Sequence, residues 1–189
     1  MALDPVVLFR EWFEEAHAAG IEVPEAMTLA TADAEGRPSA RMVLLKSADD
    51  DGFTFFTGYE SHKNQKLAEN ARAALVFYWR ELGRQVRVEG PVRKLAAEES
   101  DAYWQTRPVR SRAAAAASHQ SEPIASRAEL EAEFERQLAL GAPPRPERWG
   151  GYVLEPDAIE LWRHRDDRLH ERTRYTRARG SWREELLAP

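Results

Sequence analysis

The apolar positions of the first twenty residues recur at helical spacing. Leu8, Phe9, Trp12, Phe13 and Ala16 fall on one stripe, Asp4 and Pro5 form a cap and first turn, and Gly20 can end the helix. The period then changes to two. Segments 26–33 and 39–49 read as strands joined by the turn "AEGRP", and "DDDG" turns the chain into a third strand, "FTFFT". A short helix over 61–71 is expected to pack on the sheet. Residues 73–80 and 84–95 form a hairpin around "ELG". A helix over 96–107 is broken by Pro108, and another over 126–140 opens with a capping box from Ser126 to Glu129. After the rigid loop "GAPPRP", segments 149–156, 158–164, 171–177 and 181–187 read as closing strands. So many strands joined by tight turns predict an antiparallel barrel or sandwich, mainly β with peripheral helices, an α+β protein.

Composition narrows the class. The 189 residues suit one domain, and 43% hydrophobic content supplies a core that a disordered chain would lack. No cysteine is present, which excludes disulfides, zinc-thiolate sites and cysteine nucleophiles and fits a reducing, cytoplasmic setting. The amphipathic N-terminus reads as neither a signal peptide nor a membrane span. With 27 basic against 32 acidic residues, a general nucleic-acid binder is disfavoured. There is no internal repeat and no βαβ alternation, and the lack of G-x-G-x-x-G argues against a Rossmann nucleotide site.

Against the net charge of -5, residues 162–177 ("WRHRDDRLHERTRYTR") gather six arginines and two histidines. If 168–174 is extended, Arg168, His170, Arg172 and Arg174 share one face and repel. A bound anion would relieve this; a charged edge strand reads equally well. In "RMVLLK", Arg41 and Lys46 are five apart and alternate to opposite faces. A buried strand with snorkelling ends is the ordinary reading, and a shared site needs a bulge, a strand end or a subunit boundary. Ser61, His62 and Lys63 stand at a helix start, a natural phosphate position. Gln85 and Arg87 share a strand face opposite Val86 and Val88. Tyr103 and Arg107 share a helix face, with Ser111 just beyond the proline, and together suit a phosphate ester. No Ser-His-Asp order, H-E-x-x-H or paired-carboxylate signature stands out, and the five histidines are scattered, so no metal site is expected.

In this order and spacing, "RMVLLK", "FFTGYESHK", "YWRELGRQVRVEG", "YWQTRP", "SHQS" and "WRHRDDRLHER" with the final "W…LAP" resemble the pyridoxine 5′-phosphate oxidase family of flavin enzymes, over nearly the whole chain. The resemblance implies an FMN-binding split antiparallel β-barrel, one domain over 1–189. It has an N-terminal helix (about 4–19) and a C-terminal dimerisation and substrate segment (about 149–189). It implies a homodimer with FMN at the subunit interface. FMN would be held by Arg41, Met42, Val43, Leu44, Leu45 and Lys46, by Phe56 and Thr57, and by His62 and Lys63 at the phosphate. Gln85, Trp162 and Arg172 would complete the pocket, with Gln120 and Ser121 reaching it from the partner subunit. The substrate, a small phosphorylated pyridine, would lie among Lys46, Tyr103, Arg107 and Ser111, with the catalytic pair Arg168 and His170 facing its ring.

The implied reaction oxidises the C4′ carbon of pyridoxine or pyridoxamine 5′-phosphate to pyridoxal 5′-phosphate, passing a hydride to the flavin and then electrons to O2, which leaves as hydrogen peroxide. A phenazine-biosynthesis type of flavin oxidase and a non-catalytic flavin-binding split barrel are the alternative readings. The chain departs from the family pattern at Phe56 (usually tyrosine), at His62 (usually arginine) and at 111–117, where "SRAAAAA" replaces "S-Q-I-G-A-W".

Overall fold

Strict alternation decides which side chains go inside. A computed structural model describes residues 4–189; residues 1–3, counted in the domain by the sequence reading, lie outside the described residues. In β1 (Ala26–Ala32) Met27 and Leu29 point inward and are fully buried. Leu75, Phe77 and Trp79 of β5 (Arg72–Trp79) and Val86 and Val88 of β6 (Arg84–Lys94) do the same. Helix α1 (Pro5–Ala18) closes this core. The Asp4 carboxylate accepts the Val6 N–H at 2.9 Å and fixes the helix start. Its fully buried Phe9 then sits 4.8 Å from the ring of Phe53 and 4.9 Å from that of Phe77. Burying such a side chain stabilises the fold by roughly 1.5–3 kcal/mol.

The remaining elements are β2 (Pro38–Leu44), β3 (Ser47–Asp49), β4 (Gly52–Gly58), α2 (His62–Glu69), α3 (Ala97–Thr106), α4 (Val109–Ala117), α5 (Arg127–Ala139), β7 (Trp149–Leu154), β8 (Ala158–Arg163), β9 (Glu171–Ala178) and β10 (Ser181–Leu186). All pairings are antiparallel, in the order β10-β9-β8-β6-β5-β1-β2, with β7, β4 and β3 branching from β6. The curl turns on β6. Its first half pairs with β8 along the same edge on which its last three residues pair with β7. Gly90 stands at that switch, where a Cβ would come within 1.9 Å of the Glu155 carbonyl oxygen. The result is an antiparallel sheet curled into a half-barrel with five helices around it.

Two local expectations are corrected and one is extended. The strand over 39–49 is two strands, β2 and β3, interrupted at Leu45 and Lys46. Pro108 does end α3, because the residue before a proline is driven out of the helical region, and Arg107 is extended (φ -73, ψ 142). The alanine-rich segment beyond it then starts a new helix, α4, since alanine has the best helix propensity. Finally, 168–174 is not extended throughout. The strand begins at Glu171, and Arg168 has φ 65 in a tight turn closed by its N–H to the Arg165 carbonyl. No described helix is long and apolar enough to cross a membrane.

Phe9→Ala removes the side chain that ties α1 to the barrel. We expect a loss of about 3–5 kcal/mol in chemical denaturation, measured as a lower midpoint at unchanged slope.

Candidate active site

A cavity of about 1050 Å³ opens between β2, β4, the start of α2 and the α3–α4 pair. Its wall carries Arg41, Lys46, Lys63, Arg107 and Arg148 against a single carboxylate, Glu60. None of the five cations is ion-paired among the described residues. In a chain of net charge -5 this is a concentrated positive site.

Lys63 is its most constrained member. Only 6% of it is exposed, and its Nζ donates to the Ser61 hydroxyl and to Gln120 Oε1, both at 3.0 Å. Burial, with the Arg41 charge nearby, pushes its pKa down to about 8. Ser61 stands at the N-terminus of α2 yet caps nothing with its side chain; its hydroxyl donates to the Gly58 carbonyl at 2.8 Å. The start of α2 (Ser61, His62 and Lys63) lines the cavity, a place suited to phosphate. The Arg41 guanidinium donates to the Leu29 carbonyl, to Thr31 and to Ser39 at 2.6–3.0 Å, and burial lowers its pKa too.

Arg41 and Lys46 reach one cavity from a single chain because β2 ends at Leu44. A strand end, not a subunit boundary, reconciles them. Met42, Val43 and Leu44 also line the cavity, with Met42 62% exposed, so this strand is not the buried one its composition suggested. Leu45 turns the other way into the core and does not line the site. Phe56, Thr57 and His62 line it as expected, and so do Gln120 and Ser121. The last two, which the resemblance assigns to a partner's flavin, line the cavity of their own chain. Gln120 Oε1 accepts from Thr57 Oγ1, Gly58 N–H and Lys63 Nζ, which ties the 118–121 loop to the start of α2.

The far end of the cavity gathers Lys46, Tyr103, Arg107 and Ser111. Phe56 stacks on Tyr103 at 3.9 Å and on Trp149 at 5.3 Å, giving a flat aromatic wall. Arg107 lies over the Trp149 ring at 4.5 Å and donates to the Ser111 carbonyl at 3.0 Å; burial lowers its pKa. Trp149 and Arg148 line the site although neither was singled out; ahead of Gly150 and Gly151, nothing in their spacing marks them.

Gln85, Trp162, Arg168, His170 and Arg172 do not line this cavity. Gln85, Trp162 and Arg172 form one cross-strand row over β6, β8 and β9. The neighbouring row runs Met42–Thr28–Val76–Arg87–Glu160–Arg174, so cavity edge and row lie on one face of the sheet. The strand cations here are already matched. Glu160, 3% exposed, accepts from Arg172 at 2.8 Å and from Arg87 at 3.4 Å, and Glu89 pairs with Arg174 at 3.1 Å. The bond to Glu160 raises the pKa of Arg172. Glu160 and Glu89, one strand away, thus supply counter-charge that the local sequence left open.

Among the described residues, the turn 164–170 leaves Arg168 without an ion pair and in left-handed backbone. Asp167 shapes it by pairing with Arg165 at 3.0 Å and accepting the Leu169 N–H at 3.0 Å. His170 lies 4.8 Å from the Trp162 ring, and its Nδ1 accepts the Arg165 backbone N–H at 3.1 Å. In the neutral ring the proton therefore sits on Nε2, which becomes a donor. His119 stands at the exposed surface, 3.4 Å from Glu60.

The family model described as pyridoxamine 5′-phosphate oxidase matches residues 13–140, and the one described as pyridoxine 5′-phosphate oxidase C-terminal dimerisation region matches residues 149–189. The chain belongs to the pyridoxamine 5′-phosphate oxidase family. A curated member of this family, the pyridoxine/pyridoxamine 5′-phosphate oxidase of Pseudomonas paraeruginosa, is 54% identical, covering 98% of this chain and 89% of its own. Among solved structures, PhzG from Burkholderia lata 383 in complex with tetrahydrophenazine-1-carboxylic acid superposes with a TM-score of 0.96 at 40% identity, covering 98% and 93% of the two chains. A pyridoxamine 5′-phosphate oxidase-related, FMN binding protein from Nostoc punctiforme shares the fold, with a TM-score of 0.80 at 20% identity over all of both chains. The family's dimerisation region holds Trp162, Arg168, His170 and Arg172, four of the six predicted residues that stand away from the cavity; Leu45 and Gln85 are the others.

Lys63 gives a pH signature. Its folded pKa, about 8, lies below its unfolded value near 10.5, so the ligand-free fold bears the burial penalty in full below pH 8 and sheds it as pH rises through that window. A bound anion needs the charged form. Affinity for FMN, followed by flavin fluorescence, should hold to about pH 8 and then fall roughly tenfold per pH unit while the ligand-free protein gains stability. An affinity flat to pH 10 would remove Lys63 from the anion site.

Proposed function

We propose that this chain oxidises pyridoxine 5′-phosphate and pyridoxamine 5′-phosphate to pyridoxal 5′-phosphate with FMN as cofactor and O2 as electron acceptor, at a site completed by a second copy. One observation carries the reading: a single cavity holds unpaired cations beside an aromatic wall, Arg41 close to Lys63, and Lys46 and Arg107 both beside Tyr103. The donor set fits FMN at the first pair. Buried Lys63 and half-buried Arg41, without a carboxylate and at the start of α2, need a phosphate to offset their desolvation. When bound, FMN supplies the redox chemistry, taking a hydride from the substrate carbon and returning the electrons to O2 as hydrogen peroxide.

The chain's own residues bind and orient. Lys63, Arg41 and the Ser61–His62 amides hold the cofactor phosphate, and Met42, Val43 and Leu44 border it. Lys46, Tyr103, Arg107 and Ser111 hold the substrate phosphate at a distance from the reacting carbon, which converts remote binding energy into orientation. The stack of Phe56, Tyr103 and Trp149 keeps a flat ring between them dry. Arg168 acts by its charge and its planar fork of donors. His170 presents Nε2–H as a hydrogen-bond donor.

The family's dimerisation region supports a homodimer. We place its interface on the open sheet face. β2 and β6 are three strands apart, about 14 Å, so one chain cannot fold Gln85, Trp162 and Arg172 over its own cavity. A second copy laid on this face, where Met42 and Tyr78 are 62% and 59% exposed, would bring its row to the first copy's flavin site. Arg168 and His170 would arrive with it.

A second reading has one observation in its favour. Ala114 and Ala115 line the cavity with minimal side chains, which leaves width for a tricyclic carboxylate such as the one bound to the 40% identical PhzG.

The purified protein should be yellow and release peroxide from both phosphorylated vitamers in air. Arg107→Ala should raise KM for them about 100-fold or more while FMN stays bound. Inertness to both vitamers alongside peroxide from a reduced tricyclic acid would select the second reading; a protein that takes up no FMN would refute both.

A further inference from the structure

Arg148, immediately before β7, is the one cavity cation to which neither the sequence reading nor the proposed function gives a role. Its Nη2 donates to the carbonyl oxygen of Ala116 in the last turn of α4. Its Nε is buried with no hydrogen-bond partner. No protein hydrogen bond reaches its Nη1 among the described residues, and no carboxylate pairs with it. A buried donor left unsatisfied costs about 1–3 kcal/mol. Two other arginines carry one, but Arg84 is ion-paired to Glu15 and Arg112 is bonded to Gln105, and neither lines the cavity. Arg148 combines an unpaired charge, an Nη1 that is neither enclosed nor bonded, and a place in the wall.

We propose that Arg148 is a further anion-binding residue of this site, its free Nη1 taking a phosphate oxygen of a bound ligand. The inference rests on the reading that the cavity's ligands are phosphates. Two neighbours bracket the position. The Arg148 carbonyl accepts the Tyr59 N–H at 2.6 Å, next to the Gly58–Gln120–Lys63 corner. The following residue, Trp149, carries Arg107 on its ring. Arg148 thus stands between the two cation sets. The alanine run of α4 offers no side chain beyond Cβ there, so the guanidinium reaches the wall unobstructed.

The cofactor and the substrate are the two sources of that phosphate, and Arg148→Met separates them because it keeps the stem's packing and removes the charge. FMN affinity is read by flavin fluorescence, and KM and kcat for pyridoxine 5′-phosphate by peroxide release. A tenfold or greater rise in the FMN dissociation constant at unchanged KM assigns the cofactor phosphate. The same rise in KM at unchanged FMN affinity and kcat assigns the substrate phosphate. In either case Arg148→Lys should recover part of the loss, since it restores charge without the planar fork. Both constants within twofold of wild type in Arg148→Met would overturn the proposal. So would equal losses in Met and Lys variants that track a lower melting temperature, which would make Arg148 only a tie for α4. A wild type active with both vitamers beside an unaffected variant sinks this inference alone; a wild type without FMN or turnover sinks it together with the function.

Discussion

Positive charge buried without a carboxylate is the constraint on which the rest of this structure turns. Lys63 is almost wholly enclosed, and lowering its pKa to about 8 corresponds to roughly 3 kcal/mol of unfavourable burial. Arg41 beside it bears the same sign. A fold with a net stability of about 5–15 kcal/mol does not hold such a pair idly. The protein's oxygens around them, from Ser61, Gln120, Thr31 and Ser39, are neutral and satisfy donors while leaving the charge unbalanced. The missing counter-charge is the ligand's.

The barrel is arranged to keep that charge in place. β1 and β2 carry Arg41 against Thr31 and Ser39. The end of β2 frees Lys46 to turn to the same side, and β4 delivers the Gly58–Ser61 turn that starts α2. On the sheet's open face the opposite solution is used. There Arg87, Arg172 and Arg174 interleave with Glu160 and Glu89, so that a row of like charges becomes a balanced lattice. Charge is neutralised where the sheet must be stable and left unbalanced where a ligand is to bind.

Most of the fold was legible in the sequence because period-two alternation and turn chemistry are local signals. The core face of β5 and β6 and the capped α1 follow from them directly. What was misread depended on distant partners. Nothing near 168–177 shows that Arg172 and Arg174 would find Glu160 and Glu89 across the sheet. Nothing near Asp167 announces that its carboxylate would bend the chain and put Arg168 in left-handed backbone. The family resemblance supplied most of the candidate site, yet it did not show that Gln120 would bond Lys63 within one chain, because a motif records which residues meet a ligand and not which contacts they make between themselves. Arg148 escaped both kinds of reading: one arginine among many has no pattern of its own.

The central claim is that the Lys63 charge is held at a cost to the fold for the sake of an anion, and Lys63→Met tests it most directly. Unfolding of the ligand-free protein at pH 7 and FMN titration of the same sample give the two numbers required. The account predicts that the variant is more stable than wild type without ligand and binds FMN at least tenfold more weakly. A variant that is less stable without ligand and binds FMN as tightly as wild type would contradict it.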